Sequence, residues 1–338
     1  MTIGARVGLD ARQTRQLSAG MTAYVRELVA RLPQAAPEYE YVAFTEGGNF
    51  GWAEQIQLPL AMKRARLSLV HFLSLYVPLI VPVRFVVTIH DLIHLRFPKH
   101  FKAKVRPYYE TVVRSTCARA TRVITDDERT VDDLVELLGV NRAKIRVVPL
   151  GVSEGLFEPG EPHAGPRPYL LYVGNHRTHK NLSTLFAAWS ALPAHLRADL
   201  YLTGPDDFGG ELQRLGTASR SIVALGDVSR AELGAYYAGA RALVSPSLRE
   251  GFGLPVLEAM AAGCPAIACA DSVPRVLQGA AATFAPDNPR QLTELLERML
   301  VDQGERERLV KLGLEAARRL TWDHCARVTA DVYREVLE

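Results

Sequence analysis

Glu250 and Glu258 flank a glycine turn, Gly251-Phe252-Gly253, which runs on into Leu254 and Pro255. Proline suits the first position of a helix, so the turn reads as the entry to a helix over 255–262. Glycines let a backbone bend tightly and come close to a ligand. The first amides of a helix lack internal partners, and with the helix dipole they make an anion site suited to phosphate. Glu258, one turn in, is placed to accept hydrogen bonds from a vicinal diol, as an acidic residue does from ribose in dinucleotide-binding folds. Glu250, before the turn, can reach hydroxyls on the far side of the phosphates. Phosphate between a ribose and a sugar is the outline of a nucleotide-sugar. The plainer reading is a strand, loop and helix whose carboxylates merely favour the positive helix end.

Other side chains carry similar pairs of readings. Lys180 closes a polar loop between an apolar run at 169–173 and a helix at 182–191. A cation there would neutralise a departing diphosphate; otherwise it is a surface lysine. His90 follows a buried strand at 84–89, so it is expected at the strand's carboxyl end, with Asp91 either capping the next segment or orienting the ring. Gly20 precedes a helix over 21–32, where its amide would approach a diphosphate or serve a helix cap. Lys99, Lys102, Lys104, Arg106 and Arg114, with Tyr108 and Tyr109, form a basic stretch. It fits anionic lipid, a lipid-diphosphate ligand or a solvated helix face.

The elements that would position these residues alternate as strand and helix almost throughout, which argues for parallel, doubly wound sheets. Strands are expected at 5–9, 41–44, 69–73, 84–89, 122–125 and 145–149, with helices at 102–117 and 130–138 among them. After a Gly- and Pro-rich stretch at 151–168, read as a linker, the alternation restarts. Strands follow at 169–173, 199–203, 222–225, 242–245 and 266–268, with helices at 182–191, 230–238, 255–262 and 290–302 and a last helix at 322–337. The fold class expected is therefore α/β, two Rossmann-like domains with a cleft between them, and ligands beyond the carboxyl ends of the strands.

Bulk properties exclude several classes. The 338 residues suit two domains. Forty Lys and Arg against 37 Asp and Glu leave a net charge of +3, too little to argue for nucleic acid. Four scattered cysteines show neither a disulfide frame nor zinc spacing and read as core residues of a reducing compartment. The opening MTIGARVGLDAR has no apolar leader, so a cytoplasmic location is expected. The apolar stretch 67–89 is interrupted by His71, Pro78, Pro82 and Arg84 and reads as two buried strands rather than a membrane span. No D-x-D triplet, a common metal-holding motif, occurs.

The phrase EGFGLPVLEAMAAGCP, residues 250–265, resembles the signature of retaining family 4 glycosyltransferases. The likeness extends along the chain: GLDARQTRQLSAGMTAYVRELVARL (8–32) to the opening strand, loop and helix; VVTIHDLIHLRFP (86–98) to the His-Asp motif of mannosyltransferase-like members; KIRVVPLGV (144–152) to the strand entering the linker; YLLYVGNHRTHKNL (169–182) to the phosphate-binding segment. The resemblance implies the GT-B fold, with an acceptor-binding domain over 1–155, a nucleotide-sugar-binding domain over 160–320 and a terminal helix (321–338) packing back on the first.

It also implies roles. Glu250 would contact the donor sugar, Glu258 the ribose, and Lys180 the diphosphate, with Gly251, Phe252, Gly253 and Leu254 forming the cradle. His90 would touch the donor sugar near the reacting centre without acting as a general base. Gly20 would approach the diphosphate, and the backbone of Gly226 and Val228 would meet the base. Asn175 stands where the family often has an arginine, leaving Arg177 or His179 to supply the second cation. The implied enzyme is a retaining glycosyltransferase without metal or cofactor. It would move a hexose, with GDP-mannose as the donor by analogy, to a sugar, glycan or lipid-linked acceptor, and could sit peripherally at the inner face of a membrane. The alternative is a non-catalytic nucleotide-sugar or glycan-binding protein on the same fold.

Overall fold

Apolar runs along the chain become strands, and all the strand pairs are parallel. In the computed structural model, which describes residues 4–12, 18–48, 51–204 and 220–338, the chain divides into two units. One is Met1–Gly151 with Leu320–Glu338, the other Val152–Arg319.

The first unit contains β1 (Arg6–Asp10), α1 (Ala19–Ala35), β2 (Glu40–Phe44), β3 (Leu69–Phe72), β4 (Phe85–Thr88), β5 (Arg122–Thr125), α2 (Glu128–Leu138) and β6 (Ile145–Val147). Its sheet runs β2-β1-β3-β4-β5-β6. β3 and β4 are buried at every position, as strands covered on both faces must be. The terminal helix Trp322–Leu337 packs along α1 and buries Trp322, Cys325 and Tyr333. Its Glu335 accepts hydrogen bonds from both Arg122 and Arg146.

The second unit contains β7 (Tyr169–Tyr172), α3 (Leu182–Ser190), β8 (Asp199–Thr203), β9 (Ile222–Gly226), α4 (Arg230–Gly239), β10 (Ala242–Ser245), α5 (Leu254–Ala261), β11 (Ala266–Cys269), β12 (Ala282–Phe284), α6 (Pro289–Val301) and α7 (Gln303–Ala317). The sheet order is β12-β11-β10-β7-β8-β9. Residues 152–168, read from sequence as a linker, fall within this unit.

Several boundaries differ from the sequence expectation for local reasons. α1 starts at Ala19, not 21, because the Ser18 side chain caps it by accepting from the Met21 amide; it runs through Pro33 to Ala35. α2 starts at Glu128 because Asp127 caps it. The helix expected over 102–117 begins only at Val105 and includes a π turn, Tyr109–Val113. β12 and α7 were not foreseen. α7 opens on a charged run, Glu305–Arg308, and buries only Leu309, Gly313 and Ala317, so its apolar stripe is faint.

Where the chain returns to the first unit, space is tight. A Cβ on Gly151 would lie 2.2 Å from the Trp322 amide nitrogen and 2.4 Å from the Thr321 carbonyl carbon. Those are backbone atoms and cannot swing away. Gly151→Ala is therefore expected to destabilise by about 1–3 kcal/mol. The check is a lower urea midpoint at unchanged slope.

Candidate active site

In the second unit the chain starts at β7, winds outward to β8 and β9, then returns to add β10, β11 and β12 on the other side. β7 and β10 are thus hydrogen-bonded neighbours at the point where the order reverses. The crevice outside the carboxyl ends of two such strands is where α/β sheets take ligands. The loops leaving these strands carry Lys180 and Glu250.

The two loops are fastened together. Leu248 donates its amide to the His179 carbonyl at 2.9 Å, and Lys180 Nζ donates to Glu250 Oε1 at 2.6 Å. The two charged side chains are only 13% and 12% exposed. Burial alone would push the Glu250 carboxyl up, but Lys180, Ser247 and His179 outweigh it and hold the group below its ordinary range. Glu250 is therefore a carboxylate at neutral pH, and Lys180 is paired with it.

The cradle follows immediately. Gly253 adopts φ +81°, the left-handed region that favours glycine, and α5 starts at Leu254, one residue earlier than expected. Phe252 is buried and anchors the turn. The Val256 and Leu257 amides both turn back to the Gly253 carbonyl, and Pro255 has no N–H. Among the described residues the amides of Gly253 and Leu254 meet no acceptor. The anion site expected here would thus be narrower than a full helix turn: two amides with Lys180 and Glu250 on the adjoining loops.

On the same helix, Glu258 Oε2 accepts from the Tyr237 hydroxyl at 3.1 Å. Burial pushes the Glu258 carboxyl up, against the pull of Tyr237 and Arg230. Glu258 forms one wall of a pocket of about 390 Å³, closed by Leu156, Pro159, Arg230 and Gly234. Arg230 also donates to Ser153 Oγ at 3.0 Å. A pocket with two carboxylates, Glu158 and Glu258, one guanidinium and apolar walls has the chemistry to hold a nucleoside. Tyr237 was not singled out from sequence, because a tyrosine on the buried face of a helix looks like core.

The remaining second-unit candidates are also placed. Asn175 and Arg177 are exposed on the loop after β7. Asn175 Oδ1 accepts from the Arg177 amide at 3.3 Å. His179 is buried, so of the two candidates for a second cation, Arg177 is the one that faces solvent. Gly226 ends β9 at φ +65°, and its carbonyl accepts from the Gly204 amide. Val228 lies between β9 and the capping box that opens α4.

His90 and Gly20 belong to the first unit. Gly20 is not in a loop, as the sequence suggested; it is the second residue of α1, since Ser18 is the cap. His90 follows β4, and its ring is held at both nitrogens. Nδ1 lies 2.7 Å from Asp126 Oδ2, and Nε2 lies 3.3 Å from the Leu73 carbonyl. A carbonyl only accepts, so Nε2 carries a proton, and the Nδ1 proton is shared with Asp126. The Asp126 carboxylate outweighs burial and raises His90 above the ordinary imidazole range.

Asp91 does not orient the ring. It accepts from the Ile93 amide and caps the next turn. The orienting carboxylate is Asp126, at the end of the neighbouring strand β5, and it is almost fully buried. Sequence reading missed Asp126 because strand pairing, not sequence distance, brings it to His90.

Beneath this pair lies a buried polar chain. Tyr333 OH is 2.6 Å from His71 Nδ1, His71 Nε2 is 2.8 Å from Thr88 Oγ1, and Thr88 Oγ1 is 2.9 Å from Tyr24 OH. Burial depresses His71 to about 3, so it is neutral. The Tyr24 ring meets the His90 ring edge-on at 4.8 Å.

Two parallel six-stranded sheets, each with helices around it, define the GT-B architecture. The solved structure of sucrose-phosphate synthase from Thermosynechococcus elongatus shares it, with a TM-score of 0.76 at 21% identity over 98% of this chain and 99% of that one. An Anabaena HepE structure in complex with UDP and glucose matches with a TM-score of 0.73 at 15% identity over 98% and 100%.

Residues 35–155 match Glycosyltransferase Family 4, and residues 167–302 match Glycosyl transferases group 1. The chain belongs to glycosyltransferase family 4 and is a glycosyltransferase. O-antigen chain mannosyltransferase B of Escherichia coli is 29% identical over 269 residues, 74% of this chain and 70% of that protein. The chain spans only 50–60% of the length of other curated relatives it matches.

Proposed function

We propose that the chain is a retaining hexosyltransferase that works without a metal, taking its donor in the second unit and its acceptor in the first. The observation that supports this reading is the cluster at the β7–β10 switch point: Lys180, Glu250 and two unpartnered amides, with Glu258 and its pocket on the same helix. Lys180 and the amides of Gly253 and Leu254 meet the diphosphate, and Arg177 adds a second cation from solvent. Glu258 takes the ribose, the Gly226 and Val228 backbone meets the base, and Glu250 turns to the sugar hydroxyls. His90, cationic beside Asp126, stabilises charge near the reacting centre and is not a base. Most of the rate comes from leaving-group stabilisation and orientation. No cofactor takes part.

Mannose is the proposed sugar and GDP-mannose the proposed donor, because a mannosyltransferase stands among the relatives. The HepE structure holds UDP, so the base is the first thing to test. Thermal-shift titrations with GDP, UDP, dTDP and ADP should single out GDP; a shift with UDP alone would replace the donor. The acceptor is a sugar, glycan or lipid-linked sugar, met by a protein peripheral to the inner face of a membrane. Among the described residues no helix is long and apolar enough to cross one.

Glu258→Gln should weaken nucleoside-diphosphate binding roughly tenfold, the worth of one charge-assisted bond. Because burial raises the Glu258 carboxyl, wild-type affinity should fall as pH drops towards that raised value. Calorimetric titrations across pH 5–8 should show the slope in wild type and lose it in Glu258→Gln.

A further inference from the structure

One surface of the first unit is built unlike the rest of the protein. Eight large apolar side chains stand exposed among the described residues. Five of them, Trp52, Ile56, Leu60, Leu79 and Ile80, lie on two neighbouring segments. The first is the helical run through Ala53–Gln57 and Leu58–Arg64. Its inner face buries Glu54, Leu58 and Met62, and its outer face presents Trp52, Ile56 and Leu60, four residues apart. The second is the loop around Leu79 and Ile80, held to the helix by the Leu79 amide donating to Gln55 Oε1 at 2.9 Å. Arg119 donates to the Leu79 carbonyl from the other side at 2.7 Å. Trp52, Leu79 and Ile80 are 81%, 64% and 73% exposed.

The charge beside this patch is positive: Lys63 and Arg64 close the helical run, Arg66 follows, and all three are exposed. Further along the chain Arg96 and Arg106 are neutralised by Asp133, Glu136 and Glu110. The one acid on the helical run, Glu54, is buried beside Arg12.

We propose that this face inserts into the headgroup layer of an anionic lipid bilayer. Trp52, Ile56, Leu60, Leu79 and Ile80 enter the boundary with the acyl chains, and Lys63, Arg64 and Arg66 meet the headgroups. Tryptophan with aliphatic residues on one face and cations beside them is the pattern of an interfacial anchor. A second copy of the chain is a poorer occupant, since a two-fold contact would set like cations against each other. The inference rests on the peripheral contact proposed above, moving its apolar part away from the basic stretch 99–114, and is independent of the transfer reaction.

The test is co-sedimentation of the full chain with phosphatidylcholine vesicles, with and without 30% phosphatidylglycerol. Binding is expected only with phosphatidylglycerol and should weaken as salt rises. The protein has three tryptophans, and Trp189 and Trp322 are buried, so a blue shift on binding reports Trp52 and should vanish in Trp52→Phe. The double substitution Leu79→Ser, Ile80→Ser, at exposed positions, should weaken binding at least tenfold with an unchanged melting temperature. Loss of binding in Lys99→Glu, Lys102→Glu, Lys104→Glu while the double variant binds like wild type would overturn the patch and keep the peripheral contact. No binding to anionic vesicles would sink both. A dimer in sedimentation that the double variant abolishes would assign the face to a second copy.

Discussion

Replacing Glu250 with glutamine should cut glycosyl transfer about a hundredfold or more, while nucleoside-diphosphate affinity holds or rises. The reason is the pairing of Lys180 with Glu250. Lys180 Nζ already sits on the Glu250 carboxylate at 2.6 Å, so an arriving diphosphate must draw the cation away from it. Glutamine keeps the shape and removes the competing charge. Phosphate binding then gains from the freed lysine, while the sugar loses its charged partner in the transition state.

A stability effect accompanies this and has a definite sign. The Glu250 carboxyl is depressed in the folded protein. Its contribution is present above the ordinary carboxylate pKa and is lost as pH falls through the depressed value. Glu250→Gln should therefore be less stable than wild type at neutral pH, with the gap closing in acid. Turnover near wild type with the cognate acceptor would refute the role given to Glu250.

The second large effect concerns Asp126. Asp126→Asn should lower kcat/KM by about tenfold to a hundredfold, the equivalent of one charge-assisted hydrogen bond of roughly 1.5–3 kcal/mol. His90 is raised because the Asp126 carboxylate outweighs burial. Take that charge away and burial is opposed only by Asp91 and the Leu73 carbonyl, so His90 should fall. Imidazole nitrogen chemical shifts followed across pH should then place the His90 titration lower in the variant than in wild type. The pair's stabilisation is present below the ordinary imidazole pKa and fades as pH climbs through the raised one; the variant should lose that dependence. A variant with unaltered His90 titration and unaltered kcat/KM would show that Asp126 does not position the ring.

Much of the candidate site in the second unit was legible in the sequence because its residues are close together along the chain. Glu250, the glycine turn and Glu258 span nine residues, and spacing alone suggested one helix entry. Lys180 was harder: only the sheet order makes its loop the neighbour of the Glu250 loop. The partners of His90 were harder still. Asp126 lies 36 residues away and Tyr24 on a different helix, and no periodicity links them. Asp91, adjacent in sequence, was the natural guess for orienting the ring, and the backbone of the following turn claims it instead. Strand positions came through well, since buried parallel strands are continuous apolar runs. α7 did not, because its contact with Met260 is made by a glycine, Gly313, which leaves no apolar signature.

The helix Trp322–Leu337 sets an order of events during synthesis. Residues 152–319 leave the ribosome before it and carry everything their own sheet requires. The earlier-made sheet must wait. Until Tyr333 arrives, His71 lacks its Nδ1 partner in an interior where it stays uncharged, and the groove along α1 stands open. The portion translated first is thus the portion completed last, and a nascent chain stalled near residue 319 would hold one finished half and one awaiting its closing piece.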